Sequence, residues 1–206
     1  MIAAGQNPVS LRAHLQQTCQ SAGVRDVEAC IKAAASAIDT YREKEQKKYL
    51  QDAARKPDSA QCMTPAEYKM FENLNRDRVK KNIRPVAVDC DLVKAARGHS
   101  ADMARFGFFN HTNREGKSPH ERIKAKTSRF RCTAENIARG GTGPHTYTWS
   151  NVDSKAQTGL FKSPGHRKNI LNPDMTHVGI GIYRGTYEGA DNILFVTQNF
   201  GGCEQP

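Results

Sequence analysis

Residues 178–200 read VGIGIYRGTYEGADNILFVTQNF, and this stretch decides the fold class. VGIGIY at 178–183 and ILFVTQNF at 193–200 are short runs rich in β-branched and aromatic residues, as strands require. Gly185 and Gly189 bracket a turn between them, which is a hairpin signal. Upstream the patterning is helical. Thr64-Pro65-Ala66-Glu67 supplies an N-cap, a proline at the first helical position and an acid at N3. The helix that follows turns Tyr68, Phe71, Leu74 and Val79 inward and runs toward Lys81. PVAVDCDL holds Val86 and Val88 in alternation, a short extended piece. Asp91 is read as opening the next helix, with Leu92, Ala95, Ala96, His99 and Met103 on its buried face. Helices first and strands last predict an α+β layered protein with an antiparallel sheet.

The first 60 residues read separately. Leu11, Leu15 and Cys19 fall at helical spacing, Ser21-Ala22-Gly23 breaks the pattern, and Val27, Ile31, Ala34, Ile38 and Tyr41 form a second stripe. The charged run YREKEQKKYLQDAARK suits an exposed helix end, closed by Lys56-Pro57-Asp58-Ser59. The expectation is a helical hairpin over 1–60 followed by a domain over 61–206, with the hairpin docking on that domain or on a protein partner.

Composition narrows the class. Mean hydropathy is -0.70 and no apolar run is long enough to span a membrane, so no transmembrane segment is expected. The six cysteines are even in number, widely spaced and free of CxxC pairs. That pattern argues against a zinc ribbon or a redox motif and for disulfides in an oxidising compartment. Spacing alone does not choose the pairing; Cys19 with Cys30 across the hairpin turn is favoured. MIAAGQNPVS has neither a basic n-region nor an apolar h-region, so an extracytoplasmic location presupposes a leader already removed. The net charge of +10 suits an acidic partner such as an anionic glycan, a surface polymer or lipid. Nucleic acid is not expected, because no recognition-helix, zinc-finger or RNP pattern appears. Lys and Arg outnumber acids by 9 to 7 up to residue 61 and by 22 to 14 beyond it, so the basic character belongs to the larger part.

Three segments carry groups suited to chemistry. FFNHTNREG at 108–116 runs two aromatics into His111, RCTAENIARGG carries Glu135, and KSPGHRKNILNP carries His166. Ser163 is a natural N-cap with Pro164 at N1, which puts His166 in the first turn of a short helix ending before Asn172-Pro173. A helix N-terminus disfavours imidazolium, so His166 is expected to be neutral with a lone pair to offer. On spacing alone each residue also has a plain structural role. His111 can cap a turn, Glu135 can pair with Arg131 or Arg139, and His166 can hydrogen-bond within its helix turn. His99 is expected as a satisfied, half-core histidine outside the set, His120 as a residue near its rim, and His145 and His177 apart from it.

The texts LNRDR, PVAVDCDLVKAARGHSADMA, FFNHTNREGKSPHERI, AENIARG, SPGHRKNILNPDMTHVGIGIY and VTQNFGG occur in this order over residues 70–202. In order and spacing they resemble the CAP superfamily, also called SCP or TAPS, and within it the bacterial extracellular branch. The superfamily includes cysteine-rich secretory proteins, antigen 5 and pathogenesis-related proteins. The resemblance implies a three-layer α/β/α sandwich around a central antiparallel sheet. It also implies a cleft with two histidines and two glutamates, whose histidines bind zinc or another divalent ion in some members. By motif His111, Glu135 and His166 take three of those places. The second glutamate belongs just before SPGH, where GLFKSPGH has no acid and Ser163 stands nearest. The tetrad is therefore a triad here.

The function this implies is a secreted, periplasmic or cell-surface binding module. Its cleft would be lined by His111, Glu135, Ser163 and His166, would take a small ligand, lipid, glycan or peptide, and would hold zinc or another divalent metal on His111 and His166. The alternative is a zinc-dependent hydrolase with Glu135 as general base. Two histidines fall one short of the three ligands usual for catalytic zinc, and no GxSxG nucleophile motif is present. Binding is therefore preferred to catalysis.

Overall fold

The computed structural model describes residues 8–54, 62–140 and 147–204. Two compact units divide the chain, Met1–Ala54 and Arg55–Pro206. The Lys56–Ser59 stop, His145 and the side chain of Tyr41 lie outside the described residues.

In the first unit α1 (Pro8–Ser21) and α2 (Val27–Ala54) flank a break at Gly23, whose φ is 69°. Asp26 caps α2 by accepting from Ala29 N at 2.9 Å. The two stripes meet as expected. Leu15, Cys19 and Ile31 are buried, with Leu11, Val27, Ala34 and Ile38 packed around them. So small a cluster stabilises little by itself. The Cys19–Cys30 disulfide ties the helices together across the turn.

In the second unit the elements are α3 (Pro65–Lys80), β1 (Ala87–Val88), α4 (Cys90–Phe106), α5 (Pro119–Lys124), β2 (Phe130–Arg139), α6 (Val152–Lys162), α7 (Pro164–Ile170), β3 (Met175–Tyr187) and β4 (Ala190–Glu204). The sheet order is β1-β3-β4-β2. β4 pairs antiparallel with both neighbours, as expected, and the two-residue β1 adds a short parallel pairing at the β3 edge.

The layers follow from alternation along the strands. Val178, Ile180, Ile182, Leu194 and Val196 face one way and pack with Met70 and Leu74 of α3 and with Ala156 and Leu160 of α6. The intervening glycines face α4. A Cβ on Gly179, Gly181 or Gly185 would come within 2.1, 2.2 or 2.4 Å of the backbone at Leu92, Arg97 or Ala104. The glycines of VGIGIYRG thus seat α4 against the sheet. Gly185 serves this packing and not the turn. The turn is Glu188-Gly189, with φ of 48° and 77° and Tyr187 paired to Ala190. A second correction concerns α4, whose N-cap is Asp89 and not Asp91. The Asp89 side chain accepts from Asp91 N and Leu92 N, both at 3.0 Å.

Buried charges lock the layers. The Thr64–Glu67 capping box forms as expected. The Glu67 carboxylate also pairs with Arg97 of α4 and accepts from Ile182 N at 3.1 Å, on the edge of β3 that the short β1 leaves uncovered. Arg78 is wholly buried and donates to the carbonyls of Arg84, Ile170, Asn172 and Met175. Burial lowers its pKa to about 10. It holds the end of α7 and the start of β3 in place. Cys62–Cys90 ties the entry of α3 to α4, and Cys132–Cys203 crosses β2 and β4.

Candidate functional site

β2 sets the site. It is an outer strand, with Glu135 opposite Asn199 and Asn136 opposite Gln198 on β4. Neighbouring residues on a strand face opposite ways, so Glu135 points toward α4 and α5 while Asn136 points toward α6 and α7.

Glu135 is 6% exposed and held from several directions. Arg122 Nη2 of α5 donates to Oε2 at 2.5 Å and His111 Nδ1 stands 2.9 Å from Oε1. With its amide turned so that both ends are satisfied, Asn199 donates to Oε2 at 3.0 Å and accepts from Ala96 N at 3.1 Å. The partner of Glu135 is therefore Arg122, not Arg131 or Arg139. The same guanidinium donates from Nη1 to His111 O at 2.6 Å and to Lys117 O at 2.9 Å. One buried arginine thus fixes both the carboxylate and the loop that carries His111.

That loop is built locally. α4 stops at Gly107, whose φ is 65°, and Phe108 and Phe109 then pack on Met103, Ala104, Ile137, Ile193 and Phe195. Asn110 and Asn113 close the polar part by accepting from Thr112 N, Glu115 N and Lys117 N. His111 is left at the lip with its side chain 49% exposed. A carboxylate at Nδ1 makes Nδ1 the protonated nitrogen of the neutral ring and leaves the lone pair on Nε2.

His166 lies in the first turn of α7 and is half-buried. Its pKa is lowered by burial first and then by the charge of nearby His111, which favours the neutral ring. Its backbone is held by Asn136, which donates to His166 O at 3.2 Å and to Gln198 Oε1 at 3.1 Å. Asn169 of α7 bonds back to Glu135 O at 3.2 Å and Asn136 Oδ1 at 2.9 Å. The amide chain continues from Gln198 through Gln157 to Asp77. Ser163 joins α6 to α7 at the N-cap place, but its side chain caps no amide.

His99 departs from expectation. It is 1% exposed, and Nε2 donates to Asn110 O at 2.9 Å while lying 3.9 Å from Glu135 Oε1. Nδ1 is buried without a partner. His99 therefore backs the site and is not a satisfied, half-buried residue apart from it. His120 bonds Thr133 through Nδ1 at 3.1 Å. His177 belongs elsewhere, with Arg129 and Glu204.

A model of the cysteine-rich secretory protein family, CAP, matches residues 71–200. The chain belongs to the CAP family. The uncharacterized protein YkwD of Bacillus subtilis strain 168 is 36% identical over 117 residues, which cover 56% of this chain and 41% of that one. An extracellular protein containing an SCP domain from Bacillus anthracis strain Ames superposes with a TM-score of 0.52 at 28% identity, over 68% of this chain and 44% of that one. An outer surface protein from Borrelia burgdorferi superposes with a TM-score of 0.53 over 68% of this chain and 96% of that one. At 23% identity that likeness is one of fold. The chain thus spans 41% and 44% of the two Bacillus proteins.

In this CAP domain the segment before SPGH is mostly α6, whose buried face is Val152, Ala156, Gln157 and Leu160. Its one acid, Asp153, accepts from Asn73 of α3 at 3.2 Å. Among the described residues no group of three or more His, Cys, Asp and Glu is arranged to hold a metal. The reason is visible at Glu135, whose oxygens are turned to Arg122, Asn199 and the inner nitrogen of His111. If a cation were held here, the donors left to it would be His111 Nε2 and the imidazole of His166. That donor set suits a borderline ion such as zinc, with water or a ligand filling the remaining positions.

Sequence reading missed Arg122, Asn199 and Asn136. A signal for α5 existed. Ser118-Pro119-His120-Glu121 is a capping box, and Ser118 and Glu121 bond reciprocally. That box places Arg122 and Ile123 as the buried residues of a helix beside His111.

Proposed function

We propose that this CAP domain is an extracytoplasmic binding module whose cleft takes a divalent cation on His111 Nε2 and His166, and through it a small ligand. The observation that carries the reading is the Arg122–Glu135–His111 arrangement. It leaves one imidazole with its lone pair on Nε2, while burial favours the neutral form of the second. Three disulfides and the likeness to an extracellular SCP protein support a secreted or surface location. Among the described residues no helix is long and apolar enough to cross a membrane. The N-terminal hairpin is read as a docking element for a protein partner.

The hydrolase reading is weaker. A general base needs a lone pair facing the substrate, and the Glu135 oxygens are engaged by Arg122, Asn199 and His111 Nδ1.

Calorimetric titration with zinc at pH 7.5, without chelator, tests the proposal. Binding at about micromolar Kd, roughly 8 kcal/mol, should disappear in His111→Ala/His166→Ala. No heat with the unaltered protein overturns the cation reading.

A further inference from the structure

Away from the cleft, the C-terminal end of α4 carries an exposed array of arginines set on aromatic rings. Phe106 is 54% exposed, the most of any large apolar side chain described, and the Arg114 guanidinium lies 4.1 Å from its ring centre. Arg105 lies 5.5 Å from the ring centre of Tyr183 and donates to its hydroxyl at 3.4 Å. Arg139 lies 3.9 Å from the ring centre of Tyr187, but both are half-buried and stand outside the exposed group. Arg105 and Phe106 adjoin at the end of α4, Arg105 reaching Tyr183 of β3 and Arg114 reaching Phe106 from the following loop.

A basic residue in the last turn of a helix is accounted for by the helix dipole, and this covers Arg105. It does not cover Phe106, nor Arg114 in the next loop. A guanidinium held over a ring has N–H donors to spare and loses little entropy on pairing with a carboxylate. A ring left open beside it offers an apolar wall. Of the nearby acids, Glu115 is taken by Lys117 at 3.0 Å, while Asp102, three residues before Arg105 on α4, acts on Arg105 and offsets part of its charge.

We infer that this face binds an acidic polysaccharide. Its arginines pair with carboxylates of the polymer, and Phe106 packs against a sugar ring. The surface is distinct from the cation cleft and does not rest on that reading.

The probe is a galacturonic acid tetramer in low-salt buffer, with galactotetraose as neutral control and polyphosphate as charge control, read by calorimetry. The tetramer should bind, with affinity falling as salt rises, and the neutral sugar should not. Arg105→Gln/Arg114→Gln should weaken the tetramer about tenfold or more. Phe106→Ala should weaken it roughly fivefold while leaving polyphosphate binding unchanged. Each variant keeps the helix and core intact, because the changed side chains are exposed; Arg114→Gln alone, in a loop, should reproduce part of the loss. Absence of tetramer binding overturns the inference, as does a Phe106→Ala variant that binds as well as the original. Loss of binding in His111→Ala also overturns it, by placing the sugar in the cleft. Zinc titration of Phe106→Ala should match the unaltered protein, so the two proposals fail separately.

Discussion

Arg122 Nη2 lies 2.5 Å from Glu135 Oε2, and both side chains are buried, at 8% and 1% exposure. The pair comes from a six-residue helix and an outer strand. It fixes a buried carboxylate beneath His111, with one oxygen on Arg122 and the other on His111 Nδ1.

Removing the arginine should cost more than a surface ion pair would. Arg122→Ala leaves a buried carboxylate without its cation and frees the carbonyls of His111 and Lys117. A loss of about 3–5 kcal/mol is expected, read as a lower denaturant midpoint. Arg122→Lys should recover little, because one ammonium cannot span the same acceptors. The Arg122→Ala/Glu135→Gln double variant should be less destabilised than the sum of the two single changes. Additive losses would separate the two residues.

The close approach of α4 to β3 gives a test of packing. Gly181→Ala puts a Cβ 2.2 Å from Arg97 N, against helix backbone that cannot yield locally. Overpacking of this kind costs about 1–3 kcal/mol. Gly189→Ala meets nothing within 4 Å, so only its positive φ is strained and about 1 kcal/mol should be lost. Urea unfolding of the two variants should rank them in that order.

How much of this was legible beforehand varied by element. The β3–β4 hairpin and the inward face of α4 were readable because their residues are apolar at the right period. β2 was not, because its inward positions include Glu135 and Asn136, and polar residues in a core break the alternation that marks a strand. α6 was hidden for a related reason, since only Val152, Ala156 and Leu160 mark its buried apolar face. His111, Glu135 and His166 stand out in their own segments as groups suited to chemistry, and only family resemblance grouped them. Arg122 and the placement of His99 depend on sheet register and on α5 crossing β2, which spacing does not encode.

Acid should destabilise the domain through its buried histidines. His99 and His177 are both held below 6.5, by burial first. A lowered folded pKa means that the unfolded chain binds protons first. Their stabilising contribution is intact above about 6.5 and is lost as pH falls through their lower folded values. At His177, Arg129 Nη2 donates to Nε2 at 3.2 Å, so protonating Nε2 sets two donors against each other; Glu204 at Nδ1 and Asp89 near Arg129 offset part of this. Unfolding free energy should fall between pH 7 and pH 5, and less steeply in His177→Gln. A flat profile would contradict this.

Loss of the Cys132–Cys203 bridge should be felt across the sheet. It closes a separation of 71 residues and joins the ends of two paired strands. Replacing both cysteines by alanine should cost about 2–4 kcal/mol, measured from denaturant unfolding. Opening Cys19–Cys30, with a separation of 11, should instead loosen the packing of α1 on α2.

The central claim is that Glu135 fixes the tautomer of His111 so that Nε2 keeps the lone pair. Long-range proton–nitrogen NMR on ring-labelled protein, at a pH where the ring is neutral, reads this directly. The account requires Nδ1 of His111 to carry the proton and Nε2 to be bare, with Nε2 alone shifting when zinc is added. A ring protonated at Nε2, or zinc appearing at neither His111 nor His166, would contradict it.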